Sequence, residues 1–95
     1  MPRIFETMDI SGRLIYLSHK QWSHTQKHPG ITIMTLERMK ETLLRPNKII
    51  PSEDDLCVSY YFRYYKDHKE YLFISVKYLN GEGFIITSFY TDLMQ

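Results

Sequence analysis

Tyr71-Leu-Phe-Ile-Ser-Val-Lys-Tyr-Leu-Asn-Gly-Glu-Gly-Phe-Ile-Ile-Thr-Ser-Phe-Tyr-Thr91 sets two runs of β-branched and aromatic residues around Asn80-Gly81-Glu82-Gly83. Asn-Gly supplies the positive φ angles that hairpin turns need, so the stretch predicts a β-hairpin. Closing the turn across Leu79 and Phe84 places Lys77 opposite Ile86, Ser75 opposite Ser88 and Phe73 opposite Tyr90, since side chains alternate between faces. One face then holds Leu72, Ile74, Val76, Ile85 and Phe89. The other mixes Lys77, Ser75, Ser88 and Tyr90 with apolar neighbours, the composition of a half-covered face that can take a polar ligand.

Working outward, alternation runs through the segment before this hairpin. Leu56, Val58, Tyr60, Phe62 and Tyr64 fall on one side, and Cys57, Ser59, Tyr61, Arg63 and Tyr65 on the other. Lys66-Asp67-His68-Lys69 reads as the polar turn between the two, Ile49-Ile50-Pro51 as a short edge strand and Ser52-Glu53-Asp54-Asp55 as an acidic loop. At the other end, Ile4–Met8 and Arg13–Leu17 flank Asp9-Ile10-Ser11-Gly12, whose turn formers predict a second hairpin. Ser18-His19-Lys20-Gln21 matches a capping box and starts a helix that must stop by about His28, ahead of Pro29. A second helix fits Thr32 to Leu44, with Thr32 as N-cap and Ile33, Leu36, Met39 and Leu43 at helical spacing. Glu37 and Glu41 lie one turn apart beside Arg38 and Lys40 and read as a solvated face.

This order predicts an α+β fold, an N-terminal hairpin and two helices packed on an antiparallel sheet. The expected core is Trp22, Leu36, Met39, Leu43, Val58, Tyr60, Ile74, Val76 and Ile85. Ninety-five residues fit one domain, 1–95. No apolar run approaches 18 residues and no signal-peptide pattern opens the chain, which predicts a cytoplasmic protein without a membrane partner. The single cysteine, Cys57, has no disulfide or zinc partner and reads as a packing residue. A net charge of +1 makes no global case for nucleic acid, so any such binding needs a local patch.

The first helix has more polar than apolar residues. At about 100° per residue, Lys20, His24, Lys27 and His28 share one side, and Trp22 points the opposite way as the anchor. Three readings stay open for the histidines: solvated surface, a metal pair at i, i+4 that lacks further ligands, and acid–base chemistry, for which imidazole is suited near neutral pH.

Trp22-x-His24 followed by His28-Pro29, the helix end Leu44-Arg45-Pro46, the Tyr-rich strand, Val76-Lys77 and the closing Phe84-Ile85-Ile86-Thr87-Ser88-Phe89-Tyr90-Thr91 together resemble the phage-associated branch of the barnase/EndoU/colicin/RelE nucleases. The resemblance spans Gly12 to Thr91. It implies a barnase/RelE-like fold and metal-independent RNA cleavage through the 2′-hydroxyl, with no cofactor. Carried over, the active groups are His24 and Thr87 or Ser88, with Tyr90 nearby and His28 as a structural or second catalytic residue. RNA would be the partner; a toxin would add an antitoxin protein, and a homodimer is left open.

Such chemistry needs a base, an acid and cations for the phosphate. Lys77 and Arg63 are expected to share the open sheet face and meet the phosphate, with Arg45 as a further cation, while Tyr61 and Tyr90 stack bases. The competing function is a catalytically silent binding module that uses the aromatic face for protein or RNA. Convergence of His24, a last-strand hydroxyl and a cation in one cleft favours the enzyme; a His24 in bulk solvent favours the module.

Overall fold

A computed structural model describes residues 3–92. The elements are β1 (Arg3–Met8), β2 (Leu14–Ser18), α1 (His19–Thr25), α2 (Thr35–Leu44), β3 (Lys48–Pro51), β4 (Val58–Tyr65), β5 (Glu70–Leu79) and β6 (Glu82–Thr91). They form one six-stranded sheet in the order β1-β2-β6-β5-β4-β3, with both helices against one face.

The β5–β6 hairpin forms where expected, with Asn80 and Gly81 at φ 55° and 83° in its turn. Its register differs from the expected one. Leu79 faces Glu82 and Lys77 faces Phe84 across a two-residue turn; after Val76–Ile85 the pairing resumes at Ser75–Thr87, leaving Ile86 as a bulge. Beyond that bulge Phe73 faces Phe89 and Leu72 faces Tyr90. Phe89 therefore leaves the apolar face assigned to it above, and Ser88 and Tyr90 join the helix side.

The sheet is mixed rather than antiparallel, because β2 runs parallel to β6 through Ile15–Gly83 and Tyr16–Phe84. Short connections dictate antiparallel pairing only between sequence neighbours, and β2 and β6 are joined through most of the chain. Gly83 is what allows the contact. A Cβ there would sit 2.6 Å from Cδ1 of Ile15 and 3.0 Å from the Tyr78 ring.

α1 is capped by Ser18, whose hydroxyl accepts from the Gln21 amide at 3.2 Å. α2 starts three residues later than expected, at Thr35, because the Thr35 side chain accepts from the Thr32 amide at 3.0 Å and holds residues 32–34 in a turn. Ile33 is consequently exposed. Glu41 is partly solvated and also paired: its carboxylate takes a 2.6 Å hydrogen bond from the Tyr65 hydroxyl and lies 3.4 Å from Arg63 Nε.

The helix-side core contains Phe5, Ile15, Leu17, Met39, Leu43, Tyr61, Tyr65, Leu72, Ile74, Val76 and Ile85, with Trp22 and Leu36 packed against it half-buried. Two expected members lie elsewhere. Val58 and Tyr60 stand on the opposite face, because β4 presents its odd-numbered tyrosines to the helices. Leu56 and Cys57 precede β4 and are exposed, so Cys57 does not serve as a packing residue.

Beside this core lies a buried carboxylate, that of Asp9. Its carboxylate accepts from the Ser11 hydroxyl at 2.6 Å, the Ser11 and Arg13 amides at 2.8 and 3.0 Å, and the Tyr78 hydroxyl at 2.7 Å. Since Tyr78 gives its one proton to Asp9, the Tyr61 hydroxyl donates to the Tyr78 oxygen at 2.5 Å and lies 3.3 Å from the carboxylate, and the Arg13 guanidinium lies over the Tyr78 ring. Burial pushes the Asp9 carboxyl up, but hydrogen bonds from Ser11, Tyr78 and the amides outweigh it and hold the group below its ordinary range. The same burial pushes the Tyr61 and Tyr78 hydroxyls up, so both stay protonated donors.

A carboxyl whose folded pKa is lowered stabilises the fold above its unfolded value of about 3.9 and loses that contribution as pH falls through the folded value. Urea unfolding of the wild type at a series of pH values should show stability declining below about pH 4. Asp9→Asn should cost about 1–3 kcal/mol at pH 7 and flatten the decline. Gly83→Ala should cost about 1–3 kcal/mol, since the Tyr78 ring is tied to Asp9 and only Ile15 can yield.

Candidate functional site: the open face of the sheet

No helix of the described residues covers the second face of the sheet. Alternation places Tyr60, Phe62 and Tyr64 of β4, Tyr71, Phe73, Ser75 and Lys77 of β5, and Thr87 and Phe89 of β6 there. Their rings form a continuous surface: Phe73 lies 5.5 Å from Tyr60, 5.3 Å from Phe62 and 4.7 Å from Phe89 between centroids. Together with residues 50–54, Tyr60, Phe62, Phe73, Phe89 and Thr91 line a groove of about 550 Å³.

The expected catalytic residues do not converge as a set. His24 is exposed on α1, and its side chain makes no hydrogen bond, ion pair or ring contact with another described residue. His28 follows α1 in a turn fixed by a 3.1 Å bond from its amide to the Thr25 carbonyl, and its half-buried ring packs 5.3 Å from Phe89. That contact brings the His28 imidazole to the edge of the open face. Thr87 stands on this face opposite Ser75. Ser88 is fully buried on the helix side, where its hydroxyl donates to the Phe73 carbonyl at 2.8 Å. Tyr90 is also on the helix side, stacked on His68 at 3.8 Å with its hydroxyl accepting from Arg38 at 3.4 Å. The bulge at Ile86 thus leaves Thr87 alone of the three with Lys77.

The expected phosphate pair is split. Lys77 lies on the open face, 3.0 Å from Asp55, whereas Arg63 lies on the helix side, donating to the Arg45 carbonyl at 2.7 Å. The reason is parity: Val58 pairs with Lys77, so even-numbered residues of β4 share the Lys77 face and Arg63 does not. For the same reason Tyr61 is buried and has no free ring face for a base. Arg45 is exposed at the end of α2, away from the groove lining.

The charges on each face are largely satisfied. Lys77 is pushed up by its bond to Asp55, and Asp55 is pulled down by the Cys57 amide and then by Lys77. On the helix side the Tyr65 hydrogen bond, then Arg63, pull Glu41 down, while burial and the Glu41 bond push Tyr65 up to about 12. Among the described residues no three His, Cys, Asp or Glu side chains cluster at metal-binding distance, and no helix is long and apolar enough to cross a membrane.

Sequence reasoning had an aromatic strand face, traced by the alternation of Tyr60, Phe62 and Tyr64, but placed Phe89 on the other face. Comparison with known proteins adds nothing to this geometry: no family model, no curated protein and no solved structure matches the chain. Because Arg63 acts on the helix side, Arg63→Met should lower stability by up to about 1 kcal/mol and leave ligand binding on the open face unchanged, as read by thermal unfolding and titration side by side.

Proposed function

We propose that the open face binds single-stranded RNA and that the protein is a small ribonuclease acting through the 2′-hydroxyl, with His28 rather than His24 as its acid–base group. The observation that carries this reading is the His28 ring seated on Phe89, at the edge of a face that also holds Thr87 and Lys77. The partly exposed rings of Tyr60, Phe73 and Phe89 suit base stacking, which supplies affinity that a net charge of +1 does not.

In the reaction, the His28 imidazole removes the 2′-hydroxyl proton as that oxygen bonds to phosphorus. The bond to the 5′-oxygen breaks, and this oxygen takes a proton from water at the open surface. The products are a 2′,3′-cyclic phosphate and a 5′-hydroxyl. Thr87 and Lys77 donate to the non-bridging oxygens, where negative charge builds up.

Incubation with mixed RNA in EDTA, followed by end-group analysis, tests the proposal. Cleavage should leave cyclic phosphate ends, fall about 100-fold or more in His28→Ala, and persist in His24→Ala. Lys77→Gln should weaken RNA binding and lower the salt dependence by somewhat less than one counterion. Equal rates for wild type and His28→Ala would reject the assignment. A second reading, a silent binding module on the same face, is favoured by the pairing of Lys77 with Asp55. It predicts RNA or protein binding without cleavage by any variant.

A further inference from the structure

We propose that a second copy of this chain covers the open face, the two sheets packing face to face about a two-fold axis that crosses the strands at the level of Phe62, Phe73 and Phe89. The dimer occupies the face assigned above to RNA, so the two occupants exclude one another. The inference itself needs no RNA and goes beyond that reading.

Extent and composition make the face large and apolar enough. Six strands of four to ten residues, at about 3.3 Å per residue along each strand and 4.8 Å between strands, present about 700 Å² before any loop is added. A standard interface takes about 800 Å² from each partner. The ring surface continues past Phe89, since Tyr16 and Phe84 on β2 and β6 lie 6.0 Å apart on the same side. At its opposite ends the molecule also leaves Leu56 91% and Tyr64 45% exposed, apolar area that a partner removes from water.

The rim charges select a second copy as the occupant. Phe62, Phe73 and Phe89 lie abreast across β4, β5 and β6. Four residues down β4 from that row, the Val58 carbonyl holds the Ser52 amide at 3.0 Å, and the exposed Glu53 and Asp54 follow. The buried Ser52 hydroxyl fixes this acidic loop by accepting from the Asp54 and Asp55 amides at 3.2 and 3.3 Å. Four residues up from the row stand the exposed Lys66, past the end of β4, and Lys69, before the start of β5. Asp67 between them is drawn to Arg38 on the helix side at 2.9 Å, which leaves the turn positive. Acid and lysine thus flank the phenylalanine row at equal distances and opposite ends.

An axis along the row turns one copy end for end. Each acidic loop then meets the lysine turn of the other copy, and Phe73 meets its counterpart at the centre, the self-complementary pattern of a two-fold interface. Strands of the two sheets run aligned, as in sheet-on-sheet packing. With the axis along the strands instead, both acidic loops gather at one end and both lysine turns at the other, and no opposite charges meet.

Sedimentation equilibrium without RNA tests the proposal, with two double variants, Glu53→Lys/Asp54→Lys and Lys66→Glu/Lys69→Glu, whose folding is checked by circular dichroism. The wild type should pass from monomer to dimer mass between about 1 μM and 1 mM. Each variant alone should dimerise about tenfold or more weakly, because its own contacts pair like charges. An equimolar mixture should regain wild-type association, since the mixed dimer sets lysine against glutamate at one rim and keeps the native pairing at the other. A wild type that stays monomeric up to about 1 mM, variants that dimerise as well as wild type, or a mixture as weak as its components would each overturn the proposal. These readings stand whether or not the protein cleaves RNA. A uridine oligomer that binds should split the dimer; one that binds and leaves it intact would remove the dimer from this face.

Discussion

A single extra residue, Ile86, decides which side chains this protein shows to its surroundings. Side chains in a strand alternate with period two, so one unpaired residue reverses the facing of everything after it. Without the bulge between Ser75 and Val76, Thr87 and Phe89 would point at the helices, and Ser88 and Tyr90 would stand on the open face. With it, Ser88 closes onto the Phe73 carbonyl, Tyr90 stacks on His68, and Phe89 completes the aromatic surface. The placement of His28 depends on the same event, since its ring rests on Phe89.

The two faces then divide the chemistry. On the helix side, polar groups are locked into the fold: Asp9 with Tyr61 and Tyr78, Glu41 with Tyr65 and Arg63, Arg38 with Asp67. The buried member, Asp9, must keep its partners, because an unpaired buried group costs more than the bond gains. On the open face, aromatic rings are laid out beside a carboxylate wall and a lysine already paired with Asp55. A surface of that composition offers ring faces for stacking more than bulk charge, in keeping with the low net charge.

The sequence by itself determined the elements and their order. Period-two runs, Asn80-Gly81, and Ser18 before His19 gave the strands, the hairpin turn and the first helix cap, because each depends on residues within a few positions of one another. The alternation within β4 was equally legible. What local pattern did not contain was which parity faces the helices, since Tyr60 and Tyr61 are chemically alike and only the packing of α2 and β5 chooses between them.

Tertiary structure alone decided the rest. The parallel contact of β2 with β6 joins segments with no short connection, and it rests on the missing Cβ of Gly83 beside Ile15 and Tyr78. The bulge at Ile86 has no turn residue to announce it. The separation of Lys77 from Arg63 follows from the pairing of Val58 with Lys77, and the contact of the His28 ring with Phe89 follows from the bulge. Local chemistry can name the residue types a site would need, but which of them meet is set by contacts between segments that are distant in the chain.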